Sequence, residues 1–166
     1  MATRSRSVDL LVRILDEAFV RKAWHGTTLR GSLKSVDAAE ALARPAAARH
    51  NVAELAVHAA YWKYAVRRRI TGVRRGSFPL TGSNWFAIDS LDERQWKELV
   101  RLLEREHEEL RGGVAALRES DLDRKPAGGG IWTIGQLVSG AAAHDLYHTG
   151  QIQLVKRLAN RSGARD

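Results

Sequence analysis

The sequence predicts an all-α protein that folds as a four-helix bundle. Four long segments repeat apolar side chains at steps of three and four, the spacing that gathers side chains on one face of an α-helix. No segment shows the sustained alternation of apolar and polar residues that is typical of a strand. Four long amphipathic helices in one chain bury their apolar faces most simply against one another.

The composition indicates a single domain without covalent cross-links. A chain of 166 residues is long enough to bury a core, and we expect residues 1–166 to form one domain with a basic tail at about 160–166. The absence of cysteine excludes disulfides, thiolate ligands and a cysteine nucleophile, and it fits a cytoplasmic location. Because no long apolar run and no signal-peptide pattern occurs, neither membrane insertion nor secretion is expected.

The net charge of +8 is compatible with an acidic partner, an anionic substrate or solubility alone. One dense basic group stands near the end of the second long helix, where cations interact favourably with the helix dipole. Its members are Lys63, Arg67, Arg68, Arg69, Arg74 and Arg75. They form no nucleic-acid-binding motif, so we do not expect nucleic-acid binding to be the main function, and the role of the group stays open.

The first helix is predicted over residues 7–24. Ser7 is a suitable N-cap, an apolar stripe continues to Trp24, and Gly26 stands where a left-handed residue often ends a helix. A short helix is expected at residues 35–43.

The second long helix is predicted over residues 51–70. Asn51 is a good N-cap and Glu54 completes a capping-box pattern. His58 lies on the apolar stripe, whereas Lys63 falls on the polar face. Taken alone, His58 is best explained as a core histidine bonded to a backbone carbonyl.

Residues 71–91 form a long connection that would let the third helix run in either direction relative to the second. Trp85 and Phe86 indicate that this connection packs against the bundle. They would either anchor the loop or form the wall of a substrate pocket.

The third helix is predicted over residues 92–118, followed by a turn at residues 119–132. His107 lies on or beside the core face of this helix. We interpret it as a structural residue. The alternative is that it supports a metal ligand by a hydrogen bond.

The last helix, at residues 133–158, carries the most informative motif. Thr133 and Gln136 form a capping-box pattern at its start. His144 and His148 lie four residues apart on a face that is apolar at both ends, so their rings lie about one turn apart and can share one metal ion.

Together with His58, this pair suggests a three-histidine centre for a divalent metal, with Zn or Ni expected first and Mn, Fe or Cu as alternatives. Gln151 lies on the same face as His148 and is a candidate for contacting bound water or substrate; bonding within the bundle is the alternative. His25 is a candidate general base. Asp145 resembles the glutamate of an H-E-x-x-H motif, but it points about 100° away from the ligand face, so we expect it at the surface or behind the ligands.

Four stretches together resemble the DinB/YfiT-like family of metalloenzymes: AWHGTTL, HNVAELAVHAAYW, FPLTGSNW and AAHDLYHTGQI. The resemblance implies a four-helix bundle of up-down-down-up order with a crossover at residues 71–91. It also implies a divalent metal bound by His58, His144 and His148. The family often has His-His-Arg-Gly-Gln where this chain has Tyr-His-Thr-Gly-Gln, so the ligand is kept but its neighbours differ.

The resemblance further implies a metal-dependent enzyme that acts on a small molecule, as a thiol S-transferase or a hydrolase. Family activities include thiol transfer and isomerisation with low-molecular-weight thiols such as bacillithiol or mycothiol, and members are often homodimers. The alternative is a non-catalytic, metal-bearing dimeric protein that serves in binding or stress response.

Overall fold

Six α-helices make up the structure, a computed structural model that describes residues 5–162. Four of them are long, and two short ones lie between the first and second long helices. The helices are α1 (Arg6–Phe19), α2 (Leu29–Ser32), α3 (Ala38–Leu42), α4 (Val52–Thr71), α5 (Glu93–Ala115) and α6 (Ile134–Ser162), with a 3₁₀ turn at Glu119–Asp121. The part of the chain that the structure describes contains no strand, which confirms the predicted all-α fold.

Each long helix packs against two others. Helix α4 contacts α5 and α6, and α1 contacts the same two helices. Helices α1 and α4 therefore lie on one diagonal of the bundle, and α5 and α6 lie on the other. The up-down-down-up order of helix directions stays a prediction.

The predicted capping residues hold the starts of α4 and α6, with one exception. The Asn51 side chain accepts a hydrogen bond from the Glu54 N–H at 2.8 Å, and Thr133 and Gln136 form the expected reciprocal pair. The Glu54 carboxylate does not complete a capping box. It binds Arg44 through both oxygens and accepts the Ile88 N–H, because an arginine nearby is a stronger partner than a backbone amide.

The first helix differs from its predicted bounds. It begins at Arg6 behind the N-cap Ser5, so the predicted N-cap Ser7 lies inside the helix, and it ends at Phe19 instead of residue 24. The longer prediction followed an apolar periodicity that continues to Trp24, but Trp24 is fully exposed and no described residue covers it. Gly26 has the expected positive φ of 98°, but it belongs to a turn beyond the helix end. The short helix α2 was not predicted.

The later helices agree more closely. Helix α5 ends at Ala115 instead of residue 118, and α6 extends past its predicted end at residue 158 to Ser162. The remainder of the predicted basic tail, residues 163–166, lies outside the described residues. Along residues 5–162, no helix is both long and apolar enough to cross a bilayer.

The connection between α4 and α5 packs down, as Trp85 and Phe86 predicted. It leaves α4 at Gly72, whose φ of 74° is the left-handed conformation that glycine adopts without strain. Phe86 is buried, with its ring 5.6 Å from that of Tyr61 on α4. The connection is therefore held along α4, beside the position of His58.

Candidate metal centre

Three imidazoles from two helices meet at one point of the bundle. His58 comes from α4, and His144 and His148 come from α6. The Nε2 atom of His144 lies 3.1 Å from that of His58 and 3.0 Å from that of His148. His58 and His148 are buried, and His144 is half-buried. The structure thus brings together the three histidines that the sequence singled out.

Hydrogen bonds at the opposite ring nitrogens set the orientation of two of these imidazoles. The Nδ1–H of His58 donates to the backbone carbonyl of Asn84 at 2.8 Å, and the Nδ1–H of His148 donates to Oε1 of Gln151 at 2.6 Å. With their protons on Nδ1, both rings turn an Nε2 lone pair towards Nε2 of His144. Such a partner on the outer nitrogen is the usual arrangement of metal-bound histidine.

The donor set fits a divalent ion. A proton on Nε2 of His144 can point at only one of the two facing lone pairs, whereas a cation between the three nitrogens can bind all of them. Two nitrogens bound at about 2.1 Å to one tetrahedral ion are about 3.4 Å apart. The observed separations of 3.0 and 3.1 Å would need to grow by only a few tenths of an ångström.

The three rings are neutral at neutral pH, which metal binding requires. Burial lowers the pKa of His144 to about 3, and the neighbouring imidazoles add to this effect. Burial, together with the nearby His58, lowers the pKa of His148 to about 4. Burial also lowers the pKa of His58, although the bond to Asn84 opposes it.

Aromatic side chains form a wall beside the centre. The Trp85 ring stacks on His58 at 3.8 Å between centroids and on His50 at 3.7 Å, so it lies between two imidazoles. The indole N–H of Trp62 donates to the side-chain oxygen of Asn84 at 2.9 Å. Asn84 has a φ of 64°, a conformation that asparagine adopts more readily than most residues. The loop therefore both covers and orients His58.

A buried ion pair lies behind the ligands. Lys63, predicted on the polar face of α4, and Asp145, for which a surface position was one expectation, are both in the interior, where the ammonium donates to the carboxylate. A long side chain on the polar edge of one helix is drawn inward when an opposite charge faces it. The Thr149 hydroxyl donates to the Asp145 carbonyl at 2.7 Å and lies on the next turn of α6.

His107 is also buried, next to this pair. Its Nδ1 lies 3.3 Å from Nζ of Lys63, and its ring stacks on Phe19 at 3.9 Å. Burial lowers the pKa of His107 to about 3, with Lys63 contributing further. The structural interpretation of His107 agrees with this packing, which joins α4, α5 and α1.

The two candidate catalytic residues lie in different places. Gln151 is at the centre, where its side chain is bonded to His148. His25 is exposed and lines a shallow groove against α6 together with Leu146 and Gln153. The structure does not bring His25 to the three histidines.

Sequence reasoning missed Asn84 and the stacking of Trp85 between two histidines. Periodicity carries no signal in a loop, so the contacts of Asn84 could not be found from spacing. The run Ser-Asn-Trp did hold a hint, since asparagine favours positive φ in turns.

Comparisons with known proteins identify a family. A family model described as the DinB superfamily matches residues 21–152, which include all three histidines of the centre. No curated protein and no solved structure matches the chain.

Proposed function

Because the chain belongs to the DinB superfamily, we propose that it is a divalent-metal-dependent enzyme that acts on a small molecule, by thiol S-transfer or by hydrolysis. The observation that carries this proposal is the convergence of the Nε2 atoms of His58, His144 and His148. A divalent ion held by three imidazoles supplies Lewis-acid activation of a water or a thiol. Zn and Ni are the metals we expect first.

The protein's own side chains would prepare the site. Gln151 holds His148 with its Nε2 directed inward, and the carbonyl of Asn84 does the same for His58. Trp85 covers one face of His58 and limits the access of water to that ligand. Gln151 and Asn84 act as positioning residues, because their polar atoms contact the ligands, and Trp85 contacts His58 through its ring.

A thiol substrate would have to come from outside the chain, which contains no cysteine. Three protein ligands leave at least one position of the ion open to such a molecule. His25 is not part of this proposal, since it lies on a separate groove.

Metal content tests the centre. Protein purified without an affinity tag should contain about one divalent ion per chain, as a three-histidine site predicts. His144→Ala should lose this ion, and His25→Ala, which removes an exposed imidazole, should keep it. If neither the wild type nor His25→Ala takes up metal on titration, the histidines are structural and the enzyme proposal fails.

Turnover is tested separately from metal binding. Metal-loaded protein would be assayed for conjugation of an electrophile such as a chloronitrobenzene with low-molecular-weight thiols, and for ester and amide hydrolysis. Activity that disappears in His148→Ala supports the proposal. Metal binding without activity in either screen would favour the non-catalytic alternative.

One surface fits a homodimer, which is part of both candidates, the enzyme and the binding protein without turnover. Tyr147, Leu154 and Leu158 are exposed and share one face of α6, next to the histidine face. A homodimer would cover this apolar stripe. Light scattering on wild-type protein and on Leu154→Glu tests it, with a dimer that becomes a monomer as the supporting result.

A further inference from the structure

A second cavity lies between the C-terminal half of α4 and the start of the connection that follows it. Its volume is about 510 Å³, within the range of about 300–1,000 Å³ that is usual for small-molecule sites. Its wall includes Tyr61, Tyr64 and Arg68 from α4 and Arg75, Phe78 and Ser83 from the connection. We refer to it as the two-arginine pocket.

Three aromatic rings line one side of the two-arginine pocket. The Phe78 ring lies 5.4 Å from that of Tyr61 and 5.5 Å from that of Tyr64. The Gly76 N–H donates to the Tyr64 hydroxyl at 3.1 Å and fixes the loop against the helix. This side can therefore receive a planar apolar group by stacking or edge contact.

The two arginines of the pocket differ from the arginines that the bundle uses in ion pairs. Arg44, Arg67 and Arg111 each bind a carboxylate. Arg68 and Arg75 have no carboxylate within ion-pair distance among the described residues, and no Asp or Glu lines the pocket. Both side chains line the cavity, Arg68 half-buried and Arg75 exposed, so each guanidinium group can bind an anion that enters it.

We infer that the two-arginine pocket binds a small anion with a planar apolar body, such as an aryl phosphate or an aromatic carboxylate. The two guanidinium groups bind the anionic group, for which their planar donor geometry is suited, and the three rings contact the body. This ligand site goes beyond the proposed metal-dependent function and does not require it.

A simpler role must be separated from this one. A cation in the last turn of a helix is favourable by itself, and both Arg68 and Arg69 occupy that position on α4. Only Arg68 is half-buried and lines the pocket, whereas Arg69 is exposed. Arg69 and Arg74 are therefore matched controls that remove the same charge outside the pocket.

Phenyl phosphate is the probe, titrated calorimetrically into the purified full chain. We expect one site per chain and a loss of affinity of about 10-fold or more in Arg68→Gln and in Arg75→Gln, as for the loss of a charge-assisted hydrogen bond. Arg69→Gln and Arg74→Gln should bind within about 2-fold of wild type, since these exposed side chains do not line the pocket and water and salt screen their charge. Circular dichroism checks that each variant is folded.

The inference is overturned by the absence of binding at millimolar probe, by equal weakening in all four variants, or by inorganic phosphate that binds as tightly as phenyl phosphate. The variant His144→Ala tests whether the probe binds this pocket or the metal centre. Its affinity for phenyl phosphate should equal that of the wild type. Loss of binding in that variant would place the probe on the metal and would also count against the pocket.

Discussion

Lys63 of α4 and Asp145 of α6 form an ion pair inside the bundle, and the side chain of each is 1% exposed. The pair joins the two helices that carry the three histidines, and Asp145 directly follows His144. Because water does not compete for either charge, the pair constrains how the two helices lie against each other. It is therefore a fixed point behind the candidate metal centre.

Breaking this pair should cost both stability and metal affinity. Lys63→Met leaves the Asp145 carboxylate buried without its partner, so we expect the free energy of unfolding to fall by about 3–5 kcal/mol. Denaturant unfolding measures this loss, and metal titration of the folded variant should show weaker binding.

Arg67→Met is the control, because it breaks a pair between α4 and α5 and leaves α6 untouched. It should lower stability but not metal affinity. The double variant Lys63→Met with Asp145→Leu removes both charges and should recover most of the stability. If the double variant were as unstable as Lys63→Met, the unpaired Asp145 charge would not be the cause of the lost stability.

Gln151 should set the affinity of the centre without being a ligand. Gln151→Leu removes the acceptor of the His148 Nδ1–H, and the affinity for Zn²⁺ should fall about 10- to 100-fold while the fold is kept. Competition with a chromophoric chelator gives the affinity. Gln153→Leu, on a different face of α6, should leave it unchanged. Equal affinities in the two variants would rule out the positioning role.

The Glu54 carboxylate should make stability depend on pH in the acid range. Burial alone raises the pKa of Glu54, but hydrogen bonds from Arg44, His50 and the Ile88 N–H outweigh it and lower that pKa to about 2. Because the unfolded value is about 4.3, this contribution is fully present above about pH 5 and is lost as the pH falls towards 2. Glu54→Gln should flatten that part of the curve of unfolding free energy against pH, and Asp89→Asn, at an exposed partner of Arg44, should not.

Metal removal should lower the unfolding temperature of the wild type but not that of His148→Ala. An ion that binds only the folded state adds about 2.7 kcal/mol at 100 times its dissociation constant, equivalent to roughly 5–10 °C for a chain of this size. Differential scanning calorimetry with Zn²⁺ and with a chelator measures this shift. His148→Ala should unfold at one temperature under both conditions, and a shift of equal size in that variant would mean that Zn²⁺ binds elsewhere.

Local patterns were enough to predict the long helices and the three histidines. Side-chain periodicity located α4, α5 and α6, and the four-residue spacing of His144 and His148 placed both on one face. His58 was found because it interrupts an apolar stripe. Each of these features depends on neighbours within a single helix, which the sequence shows directly.

Contacts between distant segments could not be read in the same way. Lys63 looked exposed because its own helix gives it a polar neighbourhood, and only the docking of α6 brings Asp145 opposite it. The approach of Trp85 and Asn84 to His58 depends on the path of a loop. The first helix was predicted too long because Trp24 continues an apolar period without being covered by anything.

The distribution of the candidate ligands along the chain has a consequence for folding. His58 and His144 are separated by 86 positions in sequence. An ion that joins them acts as a removable cross-link. A denatured chain that kept the ion bound would have to close this long loop, which lowers its conformational entropy. The pair His144 and His148 needs only one turn of helix, so it can form before the bundle closes. During refolding with metal present, α4 should therefore dock onto an α6 whose two histidines already hold the ion.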